Sequence, residues 1–242
     1  MKGILQKERG DNYMKYKVQV SDMKRNNSYL QGLANITFGD AIKITGVKLG
    51  LGKEDSLFVG MPNYKAKEKV DGKDVYNDIG FPVTKEFRDE LYEKIFDTFD
   101  NLHDGNGGTL IFNADSEERV SPVVRVTPLE NGQKGVKALA TIVINEVFAF
   151  NNISLRENGK GELFVAYPSY KTNKIGMDGK PKYQEIFHPV TKQWRDKLDK
   201  MVKAEYQKAL KQEKEVPEQT KAKDEKKKEE QQPKQGSKAR IA

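Results

Sequence analysis

The sequence predicts an α+β protein made of two similar domains, each an antiparallel β-sheet followed by a helix. Three observations predict it. Leu57 to Lys65 reappears as Leu163 to Lys171 at a displacement of 106 positions, and Ile79 to Asp89 reappears as Ile186 to Asp196 at 107. A fixed displacement marks an internal repeat, and the single slip falls in a connecting loop, where insertions are tolerated. Within each copy, short segments of apolar–polar alternation come first and one segment with helical spacing comes last, which is the order of an α+β unit.

Residues 1–15 are polar and without period, and are expected to form a flexible leader. Tyr16 to Val20 alternates with period two, as does its counterpart Val124 to Val126, and each predicts a half-buried strand. After the basic, Asn-rich stretch from Met23 to Tyr29, Leu33 to Phe38 and its counterpart Ala138 to Ile144 predict second strands. Gly39-Asp40 and Asn145-Glu146 have the form of two-residue hairpin loops, so third strands follow directly. In those third strands Ile42 and Ile44 lie on one phase and Val47 and Leu49 on the other; Phe148, Phe150, Ile153 and Leu155 repeat the pattern. A period of two reverses phase only through an inserted residue, which predicts a β-bulge near Gly46 and another near Asn152. The apolar runs Leu57 to Val59 and Leu163 to Val165 are fourth strands, ended at Pro62 and Pro168. Polar loops are expected over Asn63 to Val75 and Ser169 to Lys182, with brief strands at Tyr76 to Ile79 and Tyr183 to Ile186 closing each sheet. Thr84 and Thr191 are set to cap helices, with Phe87, Leu91, Ile95 and Phe99 forming one apolar stripe and Trp194, Leu198, Val202 and Tyr206 the other.

The domains are therefore placed at 16–100 and 123–210, with a linker at 101–122 and a disordered charged tail at 211–242. Leu110 to Phe112 offers an additional edge strand inside the linker, and Gly105 to Gly108 reads as turn rather than as a phosphate-cradling loop, since it lacks a helix on both sides. There is no cysteine, which removes disulfides and thiolate metal sites and fits a reducing, cytoplasmic setting. No apolar run has the length to span a membrane. No nucleotide-binding glycine pattern, nucleophile–base set or paired carboxylates stand out, and two histidines without cysteines make zinc improbable, so neither an enzyme nor a cofactor is expected.

An apolar run ending at proline, a lysine-containing loop, and an acidic-Ile-x-x-Pro-Val-Thr helix start occur together twice: Leu57 to Lys65 with Asp78 to Thr84, and Leu163 to Lys171 with Glu185 to Thr191. In this combination the chain resembles the septation protein SpoVG family of bacteria over most of Tyr16 to Phe99 and Val123 to Leu210. The resemblance implies small α+β domains, each a curved antiparallel sheet with a C-terminal helix, that dimerise and bind DNA and RNA as regulators. Two copies in one chain then imply an intramolecular pseudo-dimer, monomeric or weakly self-associating, because covalent linkage raises the effective concentration of the partner to about millimolar. The alternative is a protein–protein interaction adaptor that kept the fold and lost nucleic-acid binding.

The net charge of +7 is too mild to demand a polyanionic partner, but its distribution is uneven. In Asn63 to Val75 four lysines face three acids, whereas in Ser169 to Lys182 four lysines face only Asp178. Lys85 to Phe99 has three basic and five acidic residues; Lys192 to Lys211 has seven and three. The second repeat is the cationic one. Lys171, Lys174, Lys180 and Lys182, with Lys192, Arg195, Lys200 and Lys203 on the helix, are the candidate phosphate contacts, and Tyr170 is placed to stack on an unpaired base. Lys65 and Lys67 are the counterparts in the first repeat. Charge runs are ordinarily solvated faces, and it is the resemblance that turns these toward nucleic acid.

Overall fold

The computed structural model describes residues 14–23, 29–116, 119–130, 132 and 135–229. The first repeat forms β1 (Tyr16–Asp22), β2 (Leu30–Phe38), β3 (Ile42–Leu51), β4 (Leu57–Gly60), β5 (Asn63–Val70), β6 (Lys73–Asp78), β7 (Gly80–Pro82) and α1 (Lys85–His103). A connecting strand β8 (Thr109–Phe112) follows. The second repeat runs through β9 (Pro122–Pro128), β10 (Val136–Ile144), β11 (Phe148–Glu157), β12 (Leu163–Ala166), β13 (Ser169–Ile175), β14 (Pro181–Glu185), β15 (Phe187–Pro189) and α2 (Lys192–Glu229). Among the described residues no helix is long and apolar enough to cross a membrane.

The local chemistry explains these elements. Gly39 and Asp40 both take positive φ, as do Asn145 and Glu146, and this backbone matches the right-handed twist of the strands that each turn joins. Both anticipated bulges are present: Ala34 pairs with Val47 and Ile36 with Ile44, leaving one extra residue on β3, and Ala140 with Ile153 and Ile142 with Phe150 do the same on β11. Gly46 (φ 78°) and Asn152 (φ 61°) sit at the bulges. Thr84 Oγ1 accepts a hydrogen bond from the Phe87 amide and Thr191 Oγ1 one from the Trp194 amide, both at 3.2 Å, so each helix is capped as its sequence indicates. The stripe Phe87, Leu91, Ile95 and Phe99 is buried, and α1 packs on β1 and β8. Leu198 and Val202 are buried likewise, and α2 packs on β9, β12 and β15.

Several expectations are corrected. Residues 63–75 and 169–182 are not loops: β5 pairs with β6 and β13 with β14, giving two hairpin arms outside the main sheets. Their Asp-Gly turns and alternating polar residues suit strands whose two faces both meet water, a pattern that composition alone reads as loop. The expected closing strands at Tyr76 and Tyr183 are spent inside these arms. Met14, assigned to the leader, is fully buried in the core. Leu110 to Phe112 does add an edge strand, β8 on β1, inside the segment assigned as linker. Residues 211–229, assigned to the tail, continue the α2 helix, while residues 1–13, 24–28 and 230–242 lie outside the described residues.

Each main sheet is closed by the other repeat. Order in one sheet is β15-β3-β2-β1-β8, with β4 on the far end of β3; in the other it is β12-β11-β10-β9, with β7 on β11. Phe187 to Pro189 pairs with Ile44 to Ile42, and Gly80 to Pro82 pairs with Phe150 to Phe148. Flanking bonds recur in matched pairs: the Thr45 amide donates to the Ile186 carbonyl (2.8 Å) and the Asn151 amide to that of Ile79 (2.7 Å). The bulge explains the vacancy that is filled. It divides the outer edge of β3 into Lys48 to Leu51, taken by β4, and Ile42 to Ile44, left for an incoming strand. The core is accordingly continuous across both repeats, with Phe38 and Phe148 ring centroids 5.0 Å apart.

Candidate nucleic-acid interface

The second arm leaves the sheet after Pro168 and returns at Ile186, whose amide donates to the Pro168 carbonyl at 2.8 Å. A two-stranded ribbon is marginal by itself, so this bond and the β15 exchange fix the arm at its base. Between Lys171 and Ile175 the register shifts by two residues, and Thr172 Oγ1 spans the irregularity by donating to the Lys182 carbonyl at 2.9 Å. Lys171, Lys174, Lys180 and Lys182 are all exposed, and none has an acidic side chain within ion-pair distance among the described residues. Tyr170 is 46% exposed beside them.

The first arm has the same shape and a different charge state. Lys65 lies 2.6 Å from Asp74 and Lys69 lies 3.6 Å from the same carboxylate, so two of its cations are matched internally. Lys67 is on β5, and its side chain is outside the described residues. The contrast comes from the three acids of the first arm, and it is the one that the charge counts indicate.

Where an arm meets the opposite repeat it encloses a cleft. Under the second arm the cleft measures about 660 Å³ and brings Lys174 and Lys182 together with Lys43 and Thr45 of β3, Glu185 and His188. Its counterpart under the first arm, about 450 Å³, is lined by Tyr64, Tyr76, Asn77, Asp78, Thr141 and Asn151, with no lysine among the described residues. Burial pushes the Asp78 carboxyl above its usual range. The position equivalent to Lys43 in the second repeat is Ala149, which is buried, so the strand exchange brings a cation to the cleft under the second arm alone.

His188 is half-buried, and its Nδ1 is buried with no hydrogen-bond partner among the described residues. Burial lowers its pKa, Glu185 opposes that, and Lys43 and Arg195 add to it, so the neutral form of the ring is favoured. Arg195 is engaged within the protein: its guanidinium is 2.7 Å from Glu185 and 4.8 Å from the Tyr167 ring centroid. It pins the start of α2 to the end of the arm. Lys192 pairs with Asp196 at 2.5 Å and is well exposed. Lys200 and Lys203 lie about 8 and 12 Å farther along α2 than Arg195 at the helical rise per residue, and Lys203 is half-buried. The structure thus gathers Lys174 and Lys182 into one cleft and leaves Lys171 and Lys180 along the arm. Lys192, Lys200 and Lys203 lie outside that cleft. Sequence reasoning missed Lys43 and Thr45, because the repeat that carries the arm does not carry them; a strand exchange between the halves was the signal needed.

Ammonium groups presented without acidic partners attract phosphate oxygens and release condensed counterions on contact, while a neighbouring phenol offers a stacking face. A family model described as SpoVG matches residues 14–101 and 122–208. A septation protein SpoVG of Lachnospira eligens is 40% identical over 86 residues, spanning 36% of this chain and 89% of that protein. Similar proteins of the same name from Oceanobacillus iheyensis and Phytoplasma australiense are 35% identical over 79 residues (33% of this chain, 75% of theirs) and 32% over 80 (33% and 76%).

Proposed function

The chain belongs to the SpoVG family, as a tandem of two matched units, and we propose that it is a non-enzymatic regulator that binds DNA or RNA through the arm and cleft of the second repeat. The observation that carries this reading is the set of four exposed lysines on β13, β14 and their turn that have no acidic partner among the described residues, in contrast to a first arm in which Asp74 holds Lys65 and Lys69. Lys171, Lys174, Lys180 and Lys182 contact successive phosphates, Lys43 reaches them from the other repeat, and Tyr170 stacks on an unpaired base, worth roughly 1–3 kcal/mol. Phosphate contacts position a strand without reading it, so broad sequence tolerance is expected. Lys65 and Lys67 contribute little, since the first arm carries its own acids.

A salt titration of binding to single- and double-stranded DNA and RNA tests the proposal. Log affinity should fall linearly with log salt, with a slope near −0.7 per contacted phosphate on single strands. The triple variant Lys171→Glu, Lys174→Glu, Lys182→Glu should lose retention while keeping its unfolding midpoint. Unchanged affinity in a folded triple variant sinks the reading and leaves the protein-interaction adaptor in its place.

A further inference from the structure

The faces on which the repeats pair differ most in size where the exchanged strands cross. Gly80 on β7 and Phe187 on β15 are equivalent positions, as are Ile44 on β3 and Phe150 on β11. In the pairing, Gly80 lies opposite Phe150 and Phe187 lies opposite Ile44. Phe187 is fully buried and stacks on Phe150 with centroids 4.1 Å apart and planes at 26°. Its edge meets Tyr167 at 5.4 Å.

Glycine at position 80 is there for space. Its φ lies outside the left-handed region, so the backbone would accept any L residue. A Cβ built on it would stand 2.3 Å from Cδ1 of Ile44 and 3.1 Å from Cε1 of Phe148. Ile44 and Phe148 are themselves fully buried, so neither retreats without displacing a neighbour. At these four positions the shared centre therefore takes two phenyl rings from the second repeat, and one isoleucine and one bare backbone from the first, with the rings of Phe148 and Phe38 packed beside them.

We propose that these four residues make the pairing face of each repeat complementary to the other repeat and unfit for a copy of itself. Two second repeats facing each other would bring four rings to a site that holds two. Two first repeats would bring none and leave a hollow lined by Ile44 side chains. Overfilling and cavity formation are both destabilising, so unlike repeats pair and like repeats do not. Any exchange of pairing faces between two chains must then also join a first repeat to a second one.

The full-length chain tests this through substitutions that copy one centre onto the other. Ile44→Phe with Gly80→Phe makes both centres aromatic, and Phe150→Ile with Phe187→Gly empties both. The four together invert the arrangement while keeping its total volume. Each double variant is expected to lower the thermal midpoint by roughly 5–15 °C, and the inverted chain to recover more than half of the summed loss. An inverted chain that loses the full sum of the two doubles overturns the proposal, because independent sites add. Should a double variant fail to fold, the milder cycle of Gly80→Ala and Phe187→Leu reads the same coupling, and strict additivity there is equally fatal.

Discussion

Lys43 projects from β3 of the first repeat into the cleft under the second arm, where it faces Lys174, Lys182 and His188. If that cleft takes a phosphate, Lys43→Ala should weaken retention on nucleic acid and reduce the slope of log affinity against log salt by about 1, with no change in midpoint. An unaltered slope would remove Lys43 from the interface. His188 carries a second expectation at this scale. Burial disfavours its charged form in the folded state, so the unfolded chain binds the extra proton first as pH falls. Stability is therefore full above the unfolded histidine pKa, near 6.5, and declines as pH drops below it until the folded-state value is passed. His188→Asn should flatten the midpoint-against-pH curve between pH 7 and 5; a curve as steep as that of the parent protein would show that another group is responsible. Phe187 and Gly80 belong here too, because one ring and its absence decide which surfaces fit.

Among elements, the capped helices and bulged third strands follow from a few residues each. Thr84→Ala or Thr191→Ala removes the acceptor for one amide in the first helical turn and should cost about 1 kcal/mol, measured by denaturant unfolding. At the β3 bulge, a Cβ on Gly46 would meet nothing within 4 Å, so Gly46→Ala is opposed by backbone conformation alone. The expected cost is about 1–2 kcal/mol, and a neutral result would mean that the bulge relaxes. The helices, the hairpin turns and both bulges were legible because their determinants are local: a cap three residues from its amide, a turn of two residues, a phase reversal inside one strand. The arms were not legible as strands. A ribbon exposed on both faces has no buried side to impose alternation, and polar residues with Asp-Gly turns read as loop.

For the molecule as a whole, exchange of β7 and β15 and one continuous core predict a single cooperative unfolding transition. Trp194, the sole tryptophan, reports on the second repeat, whereas Leu91 is on the buried face of α1 in the first. Leu91→Ala should lower stability by about 2–5 kcal/mol and shift the Trp194 fluorescence transition together with the far-ultraviolet signal; a fluorescence transition left in place would mean that the halves unfold separately. By itself the sequence determined the duplication, the first four strands and the helix of each copy, the sheet-facing stripes, and the concentration of lysines in the second copy. All of these are written in spacing and composition, which act over a few residues or by direct comparison of the two copies. Only the tertiary structure decided which sheet each short strand after the arm would join, that Lys43 would complete a cleft built by the other copy, and that Phe187 would occupy room left by Gly80. Those outcomes depend on contacts between residues more than a hundred positions apart, and periodicity within a strand carries no record of which edge the strand will meet.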